Sequence, residues 1–214
     1  MSNKVSVSIL SADLMHMEED LHRIEQSGAE MLHFDVMDGV FVKNISFGQP
    51  LLKAVDKMTD MHLDVHLMIT DPIKYISEFG EFGADTITFH IESESDVSDT
   101  IKAIKETGAK VGLALKPKTP FSEALPYMND IDMLLIMTVE PGFGGQAFMA
   151  DMLPKIREAK NYIDANSLNV PIQVDGGING ETVGLCSEAG ASVMVAGSYL
   201  FKTDDMTSAV KTLR

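Results

Sequence analysis

A single cysteine, Cys186, stands among the 214 residues, so no intrachain disulfide can form. That excludes a small stapled scaffold and points to a reducing compartment, or to a fold indifferent to redox state. A chain of this length buries roughly 70% of the surface its unfolded form exposes and needs no such staple. Basic residues are also scarce. The 17 Lys and Arg against 32 Asp and Glu leave a formal net charge of −15, which repels nucleic acid and anionic lipid and excludes both as expected partners. No run of about 18 apolar residues is present. The start, Met1-Ser-Asn-Lys-Val, enters a short apolar run with no basic leader. The expectation is a soluble, cytoplasmic protein without a membrane partner. No segment is low in complexity and no Pro/Gly/Ser linker divides the chain, so residues 1–214 are read as one domain. The first strand is not followed by a Gly-x-Gly-x-x-Gly opening a helix, so no nicotinamide or flavin is expected.

What recurs is a short apolar run of β type, a turn, and a helical stretch. The runs are 5–10, 31–37, 63–68, 86–90, 111–115, 133–139, 172–175 and 192–196, and helical patterns such as 14–26, 51–58, 73–82, 97–107 and 152–165 lie between them. Gly28, Gly83, Gly108 and Gly190 are placed to close helices in the left-handed conformation. Strands alternating with helices argue for a parallel sheet, because a parallel neighbour requires a crossover. Eight units in 214 residues favour a closed (β/α)8 TIM barrel over a flavodoxin-like open sheet, since such barrels run to about 200–250 residues.

The chemistry is concentrated in Leu32-His-Phe-Asp-Val-Met-Asp-Gly39. Strand side chains alternate, so His33, Asp35 and Met37 share one face and Leu32, Phe34 and Val36 the other. The apolar set suits the barrel–helix interface. The polar set then points into the barrel near the strand's C-terminal end, where barrel enzymes place their active sites. An unpaired carboxylate beside an imidazole is costly to bury without a metal ion or a catalytic duty. Asp64-Val-His-Leu-Met68 repeats the theme, with His66 level with the earlier pair, and Asp175 arrives at the end of the seventh strand. Two imidazoles and two carboxylates from three strand ends form a site for one divalent transition metal, with zinc, iron, cobalt or manganese all admissible. His16, His22 and His62 read as surface or helix positions. His90 ends a strand with nothing pairing by spacing, so it receives at most a supporting place.

Glycine is the second signal. Gly142, Gly144 and Gly145 follow the sixth strand, Gly176 and Gly177 the seventh, and Gly197-Ser198 the eighth. Glycine lets backbone N–H groups approach a ligand closely, and barrels commonly hold phosphate with their late loops and a short extra helix. An acidic chain could thus bind an anion without lysine or arginine.

These motifs resemble the ribulose-phosphate 3-epimerase family over nearly the whole chain, in the order Ser8-Ile-Leu-Ser-Ala-Asp13, His33-Phe-Asp-Val-Met-Asp-Gly39, Asp64-Val-His-Leu-Met68, Met137-Thr-Val-Glu-Pro-Gly-Phe-Gly-Gly-Gln146 and Val174-Asp-Gly-Gly177. The resemblance implies that His33, Asp35, His66 and Asp175 bind the metal and that Asp35 and Asp175 are the acid/base pair. It implies substrate contacts from Ser8 and His66, with Met37, Met68 and Met137 around the reacting carbon. The phosphate end falls to Gly142, Phe143, Gly144, Gly145, Gly176, Gly177, Gly197 and Ser198. Lys43 and Val7 depart from the family, which usually carries proline there, and Lys116 and Glu140 stand where some branches carry asparagine.

The implied reaction inverts C3 of D-ribulose 5-phosphate to give D-xylulose 5-phosphate, a step of the pentose phosphate pathway. Inversion removes a proton on one face and returns it on the other, so two carboxylates are natural, with a metal stabilising the enediolate. The resemblance adds a homo-oligomer, a dimer or larger. D-allulose 6-phosphate is the nearest alternative substrate. A decarboxylase or aldolase on the same barrel would need a lysine at its mouth, and none lies in the strands of Asp35 or His66.

Overall fold

The computed structural model describes residues 2–214. Eight parallel strands close into a barrel in chain order: β1 (Lys4–Ser8), β2 (Met31–Met37), β3 (His62–Met68), β4 (Thr86–His90), β5 (Lys110–Leu115), β6 (Met133–Met137), β7 (Ile172–Asp175) and β8 (Val193–Ala196). The helices are α1 (Met17–Ser27), α2 (Gln49–Asp56), α3 (Ile76–Glu81), α4 (Val97–Thr107), α5 (Leu153–Ala165), α6 (Thr182–Ala189), α7 (Ser198–Phe201) and α8 (Met206–Thr212). The alternation expected from the sequence is therefore present as a closed (β/α)8 barrel.

Local chemistry sets the helix ends. Glu18, Glu19 and Asp20 occupy the first turn of α1, where negative charge meets the positive end of the helix dipole, and Gly28 closes it at φ 79°. Asp96 caps α4 by accepting the Asp99 N–H, and Gly108 ends it at φ 86°. Gly83 behaves differently from the expectation: Phe82 is the C-cap of α3, and Gly83 turns the chain one residue later at φ 96°. The pattern over 73–82 is also split. A 3₁₀ turn, Pro72–Lys74, precedes Tyr75 and α3, and the Ile73 N–H, free at the start of that turn, donates to the Ser95 hydroxyl at 3.2 Å.

The main core lies between barrel and helices. Leu32, Phe34 and Val36 of β2 enter it beside Phe79, Phe89 and Phe121, and fully burying one such side chain contributes about 1.5–3 kcal/mol. Cys186 of α6 is wholly buried here, and burial pushes its thiol up to about 12. The opposite faces of the strands fill the barrel with polar groups that water does not reach: Ser6, His33, Asp64, His66, Thr86, Thr88, His90 and Gln173. His62 belongs to this end of β3 as well. It is half-buried and its Nε2 meets the Thr86 hydroxyl at 2.8 Å, which corrects its reading as a surface position. Strand alternation places it in line with Asp64 and His66. Among the described residues no helix is long and apolar enough to cross a membrane.

Candidate active site

Parallel registry brings the chemical residues level. In the β2/β3 ladder Asp35 stands opposite His66, His33 opposite Asp64 and Met37 opposite Met68, while the β6/β7 ladder sets Met137 opposite Asp175. Ligand atoms of His33, Asp35, His66 and Asp175 consequently lie within 4.8 Å of one another. Donors about 2.0–2.2 Å from one ion sit about 3–4.4 Å apart, so the spacing fits a single divalent cation. The imidazole lone pairs are presented correctly. His33 Nδ1 faces Asp64 Oδ2 at 2.8 Å, and the Asp64 oxygen also accepts from Ser6 Oγ at 2.8 Å and Gln173 Nε2 at 2.6 Å. His33 Nε2 is buried and has no hydrogen-bond partner, although Asp35 Oδ1 lies 3.2 Å away and Asp175 Oδ2 3.9 Å. His66 Nδ1 lies 3.1 Å from Asp35 Oδ1 and 3.7 Å from Asp175 Oδ2. An orphaned imidazole nitrogen among carboxylate oxygens suits a metal.

The electrostatics agree. Burial works against charge on His33, yet Asp35 and Asp64 outweigh it and hold the imidazole well above its usual range. A cation held there would supply positive charge without a proton. Burial would raise Asp35, but His33 and His66 hold it far below the usual carboxylate range. Asp175 goes the other way, pushed up to about 6 by burial and by the charge of Asp35. Two neighbouring carboxylates thus differ in proton affinity.

Above the cluster lies a cavity of about 330 Å³ lined by Ser8, Asp35 and Asp175 and by the glycines of the three late loops, Gly142, Gly144, Gly145, Gly176, Gly177 and Gly197, with Phe143 and Ser198. Met37, Met68 and Met137 wall it and are themselves buried. His33 and His66 are fully covered below. Ser8 Oγ donates to Asp35 Oδ2 at 2.7 Å, so it orients a carboxylate as well as facing the cavity. At the glycine end the conformations demand the residue type. Gly177 has φ 69°, and a Cβ there would stand 2.6 Å from the Phe148 backbone nitrogen. Asp38 builds the loop after β2 by accepting from the N–H groups of Val40, Phe41 and Thr70, and Asn44 Nδ2 ties that loop to the Gly142 carbonyl at 2.8 Å.

One group escaped the sequence reading, and two were read only in part. The cavity is not free of cationic side chains, because Lys202 lines it too. It falls four residues after Ser198, on the same side of the short α7, and that spacing was the available signal. Asp64 alternates with His66, so its inward direction was legible but its duty toward His33 was not. His90 does touch the site: its Nε2 lies 2.9 Å from His66 Nε2, and its Nδ1 lies 3.1 Å from Glu92 Oε2. Burial pushes His90 down to about 4, while hydrogen bonds from His90, Thr119 and the Lys116 N–H outweigh burial at Glu92 and hold it at about 2.

Comparison with known proteins agrees with this geometry. The family model described as "Ribulose-phosphate 3 epimerase family" matches residues 4–201. The chain is 44% identical over 212 residues to the ribulose-phosphate 3-epimerase of Bacillus subtilis (strain 168), covering 99% of this chain and 98% of that one. It is 45% identical over 211 residues to the protein of the same name from Methanocaldococcus jannaschii, covering 99% and 89%. Among solved structures, 3-hexulose-6-phosphate synthase from Salmonella typhimurium superposes with a TM-score of 0.71 at 18% identity, over 98% of this chain and 96% of that one. That likeness concerns the fold alone.

Proposed function

The chain belongs to the ribulose-phosphate 3-epimerase family, an isomerase family, and on that premise we propose that it interconverts D-ribulose 5-phosphate and D-xylulose 5-phosphate by passing a proton across C3 between Asp35 and Asp175. The observation that carries the proposal is the convergence of two imidazoles and two carboxylates at the floor of a methionine-walled cavity whose far end is backbone glycine.

His33, Asp35, His66 and Asp175 would hold one divalent ion, with zinc suited to the donor set and iron, manganese or cobalt able to replace it. When bound, the ion supplies Lewis acidity beside the C2 carbonyl, which acidifies the C3 hydrogen. The remaining chemistry is the protein's. Asp35, held ionised, takes the C3 proton from one face. Asp175, whose carboxyl is pushed up to about 6, returns a proton to the other face and inverts the centre. For the reverse reaction the two exchange roles. Ser8 fixes the Asp35 carboxylate by its 2.7 Å hydrogen bond, and Met37, Met68 and Met137 keep water from the carbanionic carbon. The glycine loops and Lys202 receive the phosphate. Segments 41–47 and 142–146 are tied together beside the site by the hydrogen bond from Asn44 Nδ2 to the Gly142 carbonyl.

Metal-stripped protein should lose turnover of D-ribulose 5-phosphate and recover it when a divalent transition ion is added back. Stoichiometrically loaded protein without epimerisation would sink the proposal. A higher kcat/KM on D-allulose 6-phosphate would reassign the substrate.

A further inference from the structure

We propose that Glu92 and His90 are positioning residues that fix the tautomer of His66, so that its Nδ1 lone pair faces the metal. The inference rests on the reading of His66 as a ligand through that atom. Its basis is a line of hydrogen bonds running from β4 into the barrel. Glu92 Oε1 accepts from the Lys116 N–H at 2.7 Å and from the Thr119 hydroxyl. That oxygen is committed to donors, and Oε2 faces His90 Nδ1 at 3.1 Å. A carboxylate can only accept, so His90 carries its proton on Nδ1 and offers a bare Nε2. His90 Nε2 lies 2.9 Å from His66 Nε2. One proton must sit between the two nitrogens, and it belongs to His66. His66 Nδ1, 3.1 Å from Asp35 Oδ1, is then left unprotonated for the metal.

His33 obtains the same result more directly, since Asp64 accepts from its Nδ1 and frees Nε2. The two histidines of the centre are thus set by two carboxylates, one adjacent and one relayed through a third imidazole. His66 and His90 are entirely buried, so water cannot substitute for either link. The Phe41 ring, with its centroid 5.0 Å from that of His90, packs against the relay.

The isosteric Glu92→Gln change tests this sharply. Its amide oxygen must remain toward the Lys116 N–H and Thr119, which turns the NH₂ group toward His90. His90 then moves its proton to Nε2, His66 moves its own to Nδ1, and the metal position is blocked. Co²⁺ affinity, measured by chelator competition on the purified protein, should fall about 10–100-fold, the range for groups that orient metal-binding histidines. Affinity within about threefold of wild type would overturn the relay. Wild-type protein that failed to bind one Co²⁺ would instead sink the metal-centre reading on which it rests. Should the variant not fold, ¹⁵N–¹H correlation spectra of the wild-type histidine rings, recorded with Zn²⁺ bound, decide the matter. The relay requires His90 protonated on Nδ1 and His66 on Nε2. A proton on His90 Nε2 would refute it.

Discussion

The barrel interior has two polar layers that resemble each other in composition and differ in what their groups lack. In the lower layer Ser6, His33 Nδ1 and Gln173 converge on one oxygen of Asp64. Hydrogen bonds and the His33 charge overcome burial there and lower the carboxyl's proton affinity. In the upper layer Asp35, Asp175, His33 Nε2 and His66 Nδ1 face one another with acceptors in excess, and Asp175 is driven up to about 6. Both layers bury charge at considerable cost. In the lower one donors from the protein offset it at one Asp64 oxygen, whereas the upper one is short of donors and spaced to hold a cation.

The contrast is broken most severely by emptying the upper layer. Asp35→Asn and Asp175→Asn should each lower kcat by at least about 10²-fold in steady-state assays at saturating metal, the lower end for general acid–base catalysis. Near-normal turnover in either would end the two-carboxylate scheme. A cut in the lower layer should act at one remove. Asp64→Asn leaves His33 free to take the wrong tautomer, and metal affinity should fall about 10–100-fold by chelator competition. Unchanged affinity would mean that the layers are independent.

Stability should show the opposite sign. A carboxyl whose folded pKa is raised from 3.8 to about 6 disfavours the native state once ionised, and each pKa unit is worth about 1.4 kcal/mol. Asp175 therefore makes the metal-free protein more stable as pH falls through about 6, with the gain complete below its unfolded value. The raised His33 works in the same direction, its contribution being lost as pH rises. Urea unfolding of metal-free protein compared at about pH 7 and about pH 5 should show that slope, and bound metal should flatten it. Asp175→Asn should stabilise the metal-free form at neutral pH by about 1–3 kcal/mol even as its turnover falls. The smallest effect is expected from Gly177→Ala, whose Cβ meets the Phe148 backbone. It should cost about 1–2 kcal/mol in urea titrations and raise KM more than it lowers kcat.

Much of this was legible in residue order. Period-two alternation placed His33, Asp35 and His66 inside the barrel, because an outward carboxylate on β2 would have entered a core of Phe34 and Leu32, and Asp175 stood out by its place at the end of the seventh strand. The strand ends 37, 68, 90, 115, 175 and 196 agree with the structure. What escaped depended on contacts between distant elements. Glu92 and Thr119 meet only because β4 and β5 are neighbours, and Lys202 reaches the cavity only because β8 closes against β1. His62 was misplaced because its burial comes from Thr86 on the next strand. The break inside 73–82 falls at Tyr75, where φ is −117° between the 3₁₀ turn and α3.

The buried state of Cys186 has a practical consequence. Its thiol has no exposed surface and stays protonated at any working pH, so maleimide chemistry should ignore it while the protein is folded. Ile45 stands 76% exposed on the rim, and an Ile45→Cys variant would therefore carry one fluorophore at one defined place. Its emission, followed while a sugar phosphate is titrated in, would report movement of the β2 loop against an optically silent background.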